Sequence, residues 1–424
     1  MLNKSNRPFL NNARATSLGM LTLVLALVLA ACGDSTATST VAPVSTTAAA
    51  AAATSAAAST TAAGATTTAA AAGTTTSATG ATTAAGAAPT PTILISRDPG
   101  TLNGAGSTFI NPLMSKWTKE YNTLFPQVKI NYQSIGSGGG RQQFIAKTVD
   151  FGASDAPMTD DQLTQAGGAD RVIHVPLTQG AVVLAYNLPN VPNGLKFSAD
   201  TVAGIYLGTI KKGNDPKITA DNAGVNLPDL AIATVHRSDG SGTTDIFTDY
   251  LSTVNADWKS KVGRGTSVQW PGGIGGQGNE GVANQVRNTR GAVGYVELAY
   301  AKQNKISYGV VKNKSGNFIE ATPDAVTAAG NAYADKIPED LRYSIVDSPD
   351  PKAYPIAGTT WLLVYKTQAD ANKGKLVTQF LDWAIKDGQK FGTDLDYAAL
   401  PAGLVTKIEA KLKTITCGGA TCLS

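Results

Sequence analysis

From Ser35 to Ser96 the chain carries not one charged side chain, and nearly every residue is Ala, Thr, Ser, Gly or Pro. No other feature limits the folded part so strongly. The stretch holds too little bulky apolar surface to offset the entropy of ordering it. Frequent Thr and Gly also disfavour a long Ala-based helix. Residues 32–96 therefore read as a disordered tether whose Thr and Ser content suits O-glycosylation. As a flexible coil it would reach about 45 Å, from about 5–6 Å times the square root of its length. The globular part then runs from about Arg97 to Ser424.

Before the tether, Lys4, Arg7 and Arg14 stand ahead of a short apolar run from Met20 to Ala31. That run is too short to span a bilayer comfortably. A basic region followed by such a run reads as a secretory signal over residues 1–31. It ends at Leu29-Ala30-Ala31-Cys32, which resembles the bacterial lipobox. Lipidation of Cys32 would anchor the mature chain to the outer face of the cell membrane.

The whole chain has 35 basic and 31 acidic side chains, a formal charge of +4. Without the three basic residues of the leader the balance is 32 to 31. A strongly basic nucleic-acid binder is excluded on that balance. The only histidines are His174 and His236, and the only cysteines Cys32, Cys417 and Cys422. No Cys/His zinc site of the usual spacing can be assembled, and no metal or cofactor is expected. In an exported chain, Cys417 and Cys422 are expected to form a disulfide that pins the C-terminal tail.

Three glycine-rich turns concentrate the chemistry. The first is Leu102-Asn-Gly-Ala-Gly-Ser-Thr108, ahead of Phe109, Leu113, Trp117, Tyr121 and Leu124 at helical spacing. Pro112 fits the first turn there, and Ser107 or Thr108 would cap the helix. The second follows the alternating strand Val128-Lys-Ile130-Asn-Tyr132 and reads Ile135-Gly-Ser137-Gly-Gly-Gly140-Arg141. The third follows Leu230–Val235 and reads His236-Arg237-Ser-Asp239-Gly-Ser241-Gly-Thr243, ahead of Ile246, Phe247, Tyr250 and Leu251. A helix N-terminus carries unpaired N–H donors and about half a positive charge, so each turn is a candidate anion site. The Gly-x4-Gly-Lys-Ser/Thr phosphate loop is absent, and Gly104-x-Gly106 lacks the third glycine of a dinucleotide fingerprint.

The odd residue is Asp155, in Val149-Asp-Phe-Gly-Ala-Ser-Asp-Ala-Pro157. It could cap the helix suggested by Thr159–Leu163. It could instead be a carboxylate placed beside an anion.

These segments resemble the phosphate-binding proteins of phosphate-specific ABC transporters. The likeness rests on Gly104-Ala-Gly-Ser-Thr-Phe109, Ile135-Gly-Ser-Gly-Gly139, Val149–Pro157 and Arg237-Ser-Asp-Gly-Ser-Gly-Thr243. Asn255-Ala-Asp-Trp258, Gly291-Ala-Val-Gly-Tyr-Val-Glu297 and Asp394-Leu-Asp-Tyr397 extend it, in order, through nearly all of residues 100–410. The tether lies outside it. The resemblance implies an α/β, two-lobed, type II periplasmic-binding-protein-like fold with two hinge crossings, near Gln179-Gly180 and Pro355-Ile356. Lobe 1 would hold residues 98–179 and 356–424, and lobe 2 residues 180–355.

The resemblance also implies the ligand set for inorganic phosphate. Lobe 1 would supply Thr108, the N–H of Phe109, Ser137 and the acceptor Asp155. Lobe 2 would supply Arg237, Ser241 and the N–H groups of Gly242 and Thr243, with Asp239 orienting the arginine. His236 and Gln277 depart from common family residues outside the ligand positions. The loop Trp270-Pro-Gly-Gly-Ile-Gly-Gly is expected to be backbone turns without a ligand role. The chain would be an extracytoplasmic, monomeric, non-enzymatic carrier that meets the permease subunits of an importer.

Asp155 then has a chemical reason. Near pH 7 phosphate keeps at least one proton, and an ionised carboxylate can only accept hydrogen bonds. Sulfate has no proton to give, so its oxygens would face the carboxylate lone pair to lone pair. Two readings of other classes remain: a phosphohydrolase with Ser241 as nucleophile, and a tethered surface module that senses phosphate or binds a protein.

Overall fold

The structure is a computed structural model that describes residues 98–423. The leader, the tether and Cys32 lie outside the described residues. Among those described, no helix is long and apolar enough to cross a membrane.

β1 (Gly100–Gly106), β2 (Val128–Ser134) and β3 (Phe151–Ser154) are parallel neighbours, with β1 between the other two. The strand Ala357–Tyr365 joins antiparallel to β3 and, on its other side, to β4 (Val172–Tyr186). β4 is the pivot of the sheet. Its residues Val172–Ala181 pair with Ala357–Tyr365, and its residues Val182–Tyr186 pair antiparallel with Ala292–Glu297. Ala233–Arg237 then pairs parallel with both Ala292–Glu297 and Ile274–Gly276. All fifteen residues of β4 are buried. That explains its near-continuous apolar sequence, since a strand covered on both faces shows no alternation.

Helices cover the sheet. In α1 (Asn111–Leu124), Leu113, Met114, Trp117 and Tyr121 are buried. Pro112 stands in its first turn, as its sequence position suggests. The Tyr121 ring meets Phe380 at 5.3 Å and Trp383 at 5.2 Å, and the Trp117 indole N–H donates to the Gly388 carbonyl at 2.7 Å. Aromatics of this size contribute about 1.5–3 kcal/mol each when fully buried. Leu124, expected on the same face, is 56% exposed. It is the last residue of the helix, where the chain turns away through Phe125.

Three local expectations are corrected. The cap of α1 is Ile110, with no side-chain bond, so Ser107 and Thr108 lie in a turn before the helix. The Ser137-Gly-Gly-Gly segment is the first turn of α2 (Ser137–Ile145), not a loop ahead of it. Part of the Trp270–Gly276 segment is a strand, because Ile274–Gly276 pairs with Ala233–Arg237. At the C-terminus Cys417 and Cys422 are disulfide-bonded across a small hairpin that pairs with Thr367–Gln368.

Candidate functional site

Parallel strands deliver their C-terminal ends to one edge of a sheet, and ligands of α/β folds gather there. β1, β2 and β3 do so here. Ser107 follows β1, Ser137 follows β2, and Asp155 follows β3. All three are buried, and they converge. Asp155 Oδ1 accepts from Ser107 Oγ at 2.5 Å and from Thr360 Oγ1 at 2.7 Å. Asp155 Oδ2 accepts from Ser137 Oγ at 3.3 Å.

Burial is the largest influence on the Asp155 carboxyl and pushes it up. The Ser107 and Thr360 bonds, the Arg237 charge and the Ser137 bond pull the other way, leaving it at about 6. At pH 7 the group is mostly ionised and acts as an acceptor. The capping alternative does not hold, because Thr159 caps α3 (Asp160–Gln165) through a reciprocal box with Gln162.

The second half-site is compact in sequence. Arg237 ends its strand, and Asp239 grips it two residues later. Arg237 Nε donates to Asp239 Oδ1 at 2.8 Å and Nη2 to Oδ2 at 2.6 Å. Burial raises the Asp239 carboxyl, but the Arg237 bond and charge and the Gly278 N–H together outweigh it and hold it below its ordinary value. Ser241 caps the helix Gly242–Val254, its Oγ accepting from the Thr244 N–H at 3.0 Å. Gly242 and Thr243 open that helix, where N–H groups have no intrahelical carbonyl and the helix dipole is positive.

The two half-sites touch. The Gly138 N–H donates to the Gly240 carbonyl at 2.7 Å. A Cβ on Gly242 would stand 2.6 Å from the Asp155 backbone N, Cβ and Oδ2. Gly136, before α2, has φ of 86° and faces Asp239. Asn279 spans the gap, donating from Nδ2 to Thr108 Oγ1 at 2.9 Å and to Thr243 Oγ1 at 3.1 Å.

Every expected ligand residue is therefore in this one region, with differences in detail. Ser107, not Thr108, reaches Asp155. The Phe109 N–H is engaged by Ser107 Oγ at 3.0 Å. A second arginine, Arg141, is also buried, donating from Nη2 to Thr266 Oγ1 at 3.0 Å and from Nη1 to the Pro157 carbonyl at 3.3 Å. Burial lowers its pKa against the charges of Asp245 and Asp155. Arg237 is therefore not the only buried arginine in the region. Sequence reasoning left out Ser107, Arg141, Asn279 and Thr360. Ser107 and Arg141 lie inside the first and second glycine-rich turns, while Asn279 and Thr360 stand outside all three and give no local signal.

Among the described residues nothing equips Ser241 as a nucleophile. Its hydroxyl is the helix cap. The His236 ring stacks on Trp270 at 4.9 Å, with Nδ1 3.0 Å from the Arg237 carbonyl. Among the described residues no histidine hydrogen-bonds Ser241.

A sequence model described as a PBP superfamily domain matches residues 45–387. The match starts inside the segment read as tether. The phosphate-binding protein PstS of Xylella fastidiosa (strain 9a5c) is 46% identical over 310 residues, which cover 73% of this chain and 84% of that protein. The chain belongs to the PstS family of phosphate-binding proteins. The PstS of Pasteurella multocida is 43% identical over 325 residues, covering 76% of this chain and 93% of its own.

Among solved structures, a high-affinity periplasmic phosphate-binding protein bound with phosphate aligns with a TM-score of 0.60 at 19% identity. The alignment covers 76% of this chain and 96% of that one. An ancestral soluble variant of the human phosphate-binding protein aligns with a TM-score of 0.61 at 18% identity, with the same coverage. At those identities the likeness speaks for the fold alone. That fold is the two-lobed, type II periplasmic-binding fold.

Proposed function

We propose that the chain captures inorganic phosphate outside the cytoplasm between two closing lobes and delivers it to an ABC importer. The observation that carries the reading is the buried Asp155 acceptor set among hydroxyl donors and faced by the N-terminus of the helix Gly242–Val254. Membership of the PstS family supports it. Lobe 1 comprises residues 98–179 and 356–424, and lobe 2 residues 180–355, with crossings near Gln179-Gly180 and Pro355-Ile356. Thr108, the Phe109 N–H, Ser137 and Asp155 grip the ion from lobe 1. Arg237, Ser241 and the Gly242 and Thr243 N–H groups grip it from lobe 2, and Asp239 orients Arg237. The Phe109 N–H exchanges its Ser107 partner for the ion. A ligand that touches both lobes stabilises the closed state, which permease subunits recognise. The carrier works as a monomer held to the outer membrane face through lipidated Cys32.

Asp155 selects phosphate over sulfate. Ionised, it accepts the phosphate proton in a charge-assisted bond. Sulfate leaves it unpaired, and discrimination by missing hydrogen-bond partners reaches roughly 10^4-fold. Isothermal calorimetry with both anions at pH 7.5 and pH 5, beside a phosphomonoester hydrolysis assay, tests this. The expected result is stoichiometric phosphate binding without turnover, and a phosphate-over-sulfate preference that narrows below pH 6 as Asp155 protonates. Absence of phosphate binding, or product release from the ester, overturns the carrier. An unchanged preference across that range overturns the selector.

A further inference from the structure

Asn279 is buried, and each polar atom of its side chain is committed. Its Oδ1 accepts the backbone N–H of Glu297 at 3.0 Å, which fixes the orientation of the amide. Its Nδ2 must then point at Thr108 Oγ1 and Thr243 Oγ1 and can only donate. Thr108 Oγ1 also receives the backbone N–H of Asn279 at 3.1 Å. Thr243 Oγ1 also receives Arg237 Nη1 at 3.4 Å.

A hydroxyl oxygen has two acceptor positions and one proton. In Thr108 and in Thr243, both acceptor positions are filled by N–H donors. Each hydroxyl has only its proton left to offer. Among the described residues neither proton goes to a protein acceptor, although both side chains are buried. A buried donor without an acceptor is costly. An anion oxygen would satisfy both.

We propose that Asn279 is a positioning residue that turns two threonine hydroxyls, one on each side of the site, into obligatory donors toward the bound anion. It would touch no ligand itself. The inference rests on the phosphate reading above and adds the reason why these hydroxyls face an anion as donors. A neutral hydroxyl can rotate to suit a donor or an acceptor; these two cannot. Asn279 would thereby exclude cations and neutral hydrogen-bond donors from the same space.

The test is calorimetry with inorganic phosphate on the full chain. Asn279→Ala removes the amide. Asn279→Asp keeps the shape and the acceptor for the Glu297 N–H but reverses the polarity, so both hydroxyls would donate to the new carboxylate instead. Expected losses of affinity are about tenfold for Asn279→Ala and about 100-fold or more for Asn279→Asp, each measured at a temperature where the ligand-free variant is folded. Equal losses in the two variants overturn the proposal.

A carboxylate could also act simply by repelling the anion. The same pair of variants is therefore compared in a Thr108→Val, Thr243→Val background, which keeps the charge and removes the hydroxyls. The gap should collapse there; persistence means repulsion and overturns the proposal. If Asn279→Asp does not fold, a double-mutant cycle of Thr108→Val with Asn279→Ala decides. Strong non-additivity supports the role, and additive losses overturn it. Failure of the unmodified chain to bind phosphate instead sinks the underlying reading, so the two failures are distinct.

Discussion

Asp155 and Arg237 are both buried charges, one on each side of the site, and they are held in opposite ways. Arg237 carries its counter-charge with it, two residues along the chain and bidentate. Asp155 has hydroxyls and, among the described residues, no ion pair within bonding distance. The physical result differs accordingly. The Asp239 carboxyl stays below its ordinary value, while that of Asp155 rises to about 6. One side therefore holds a fixed charge pair at every physiological pH. The other holds a charge that is conditional on pH. In the proposed phosphate site, ligand choice would then rest on which atoms can donate and which accept.

The largest effect should come from breaking the fixed pair. Asp239→Ala leaves the Arg237 guanidinium buried and unpartnered, a change that costs about 3–5 kcal/mol in denaturant unfolding. A loss below 1 kcal/mol would mean that Arg237 relaxes to solvent and that the two sides are not so different.

Next is the conditional charge. Between the ordinary value of 3.8 and about 6, the native protein holds a proton on Asp155 that the unfolded chain has released. Stability contributed by the raised group is present below 3.8 and is lost as pH climbs through about 6. Ligand-free unfolding curves should show a decline of about 3 kcal/mol from this group over that window. The decline should be missing in Asp155→Asn, and a parallel pH curve in that variant would break the contrast.

The smallest effect is expected from Thr360→Val, which removes one hydroxyl from the carboxylate. It should cost about 2 kcal/mol near pH 7 and move the Asp155 midpoint further up, as read by carbon NMR of the carboxyl. A downward movement would show that the hydroxyls do not stabilise the charge.

Legibility in sequence followed distance along the chain. The Arg237–Asp239 clasp and the Ser241 cap are local, two and three residues apart; the clasp is an expectation from the family resemblance, and the cap emerges only in the structure. Leu113, Trp117 and Tyr121 declare a buried helical face by their period. Thr360 joins Asp155 across 205 residues, and Asn279 joins Thr108 across 171. No local pattern encodes either contact, since both depend on the pairing of distant strands. Asp155 lay between these extremes. Its motif marked it, but only burial and three hydroxyls distinguish an acceptor from a helix cap. Leu124 shows the same limit from the other side, because the period continues one step beyond the packed surface.

The sheet order has a consequence for biosynthesis. The strand Ala357–Tyr365 lies between β3 and β4, yet it is translated long after both. A nascent chain that has made β1 to β4 still lacks the middle of its own sheet and carries two open edges. Pairings this distant close slowly, and exposed edges invite association with other chains. The sheet in this half of the molecule cannot be completed before that strand is available. Its keystone is among the last pieces to be made, so the finished structure belongs to the whole polypeptide and not to any leading fragment.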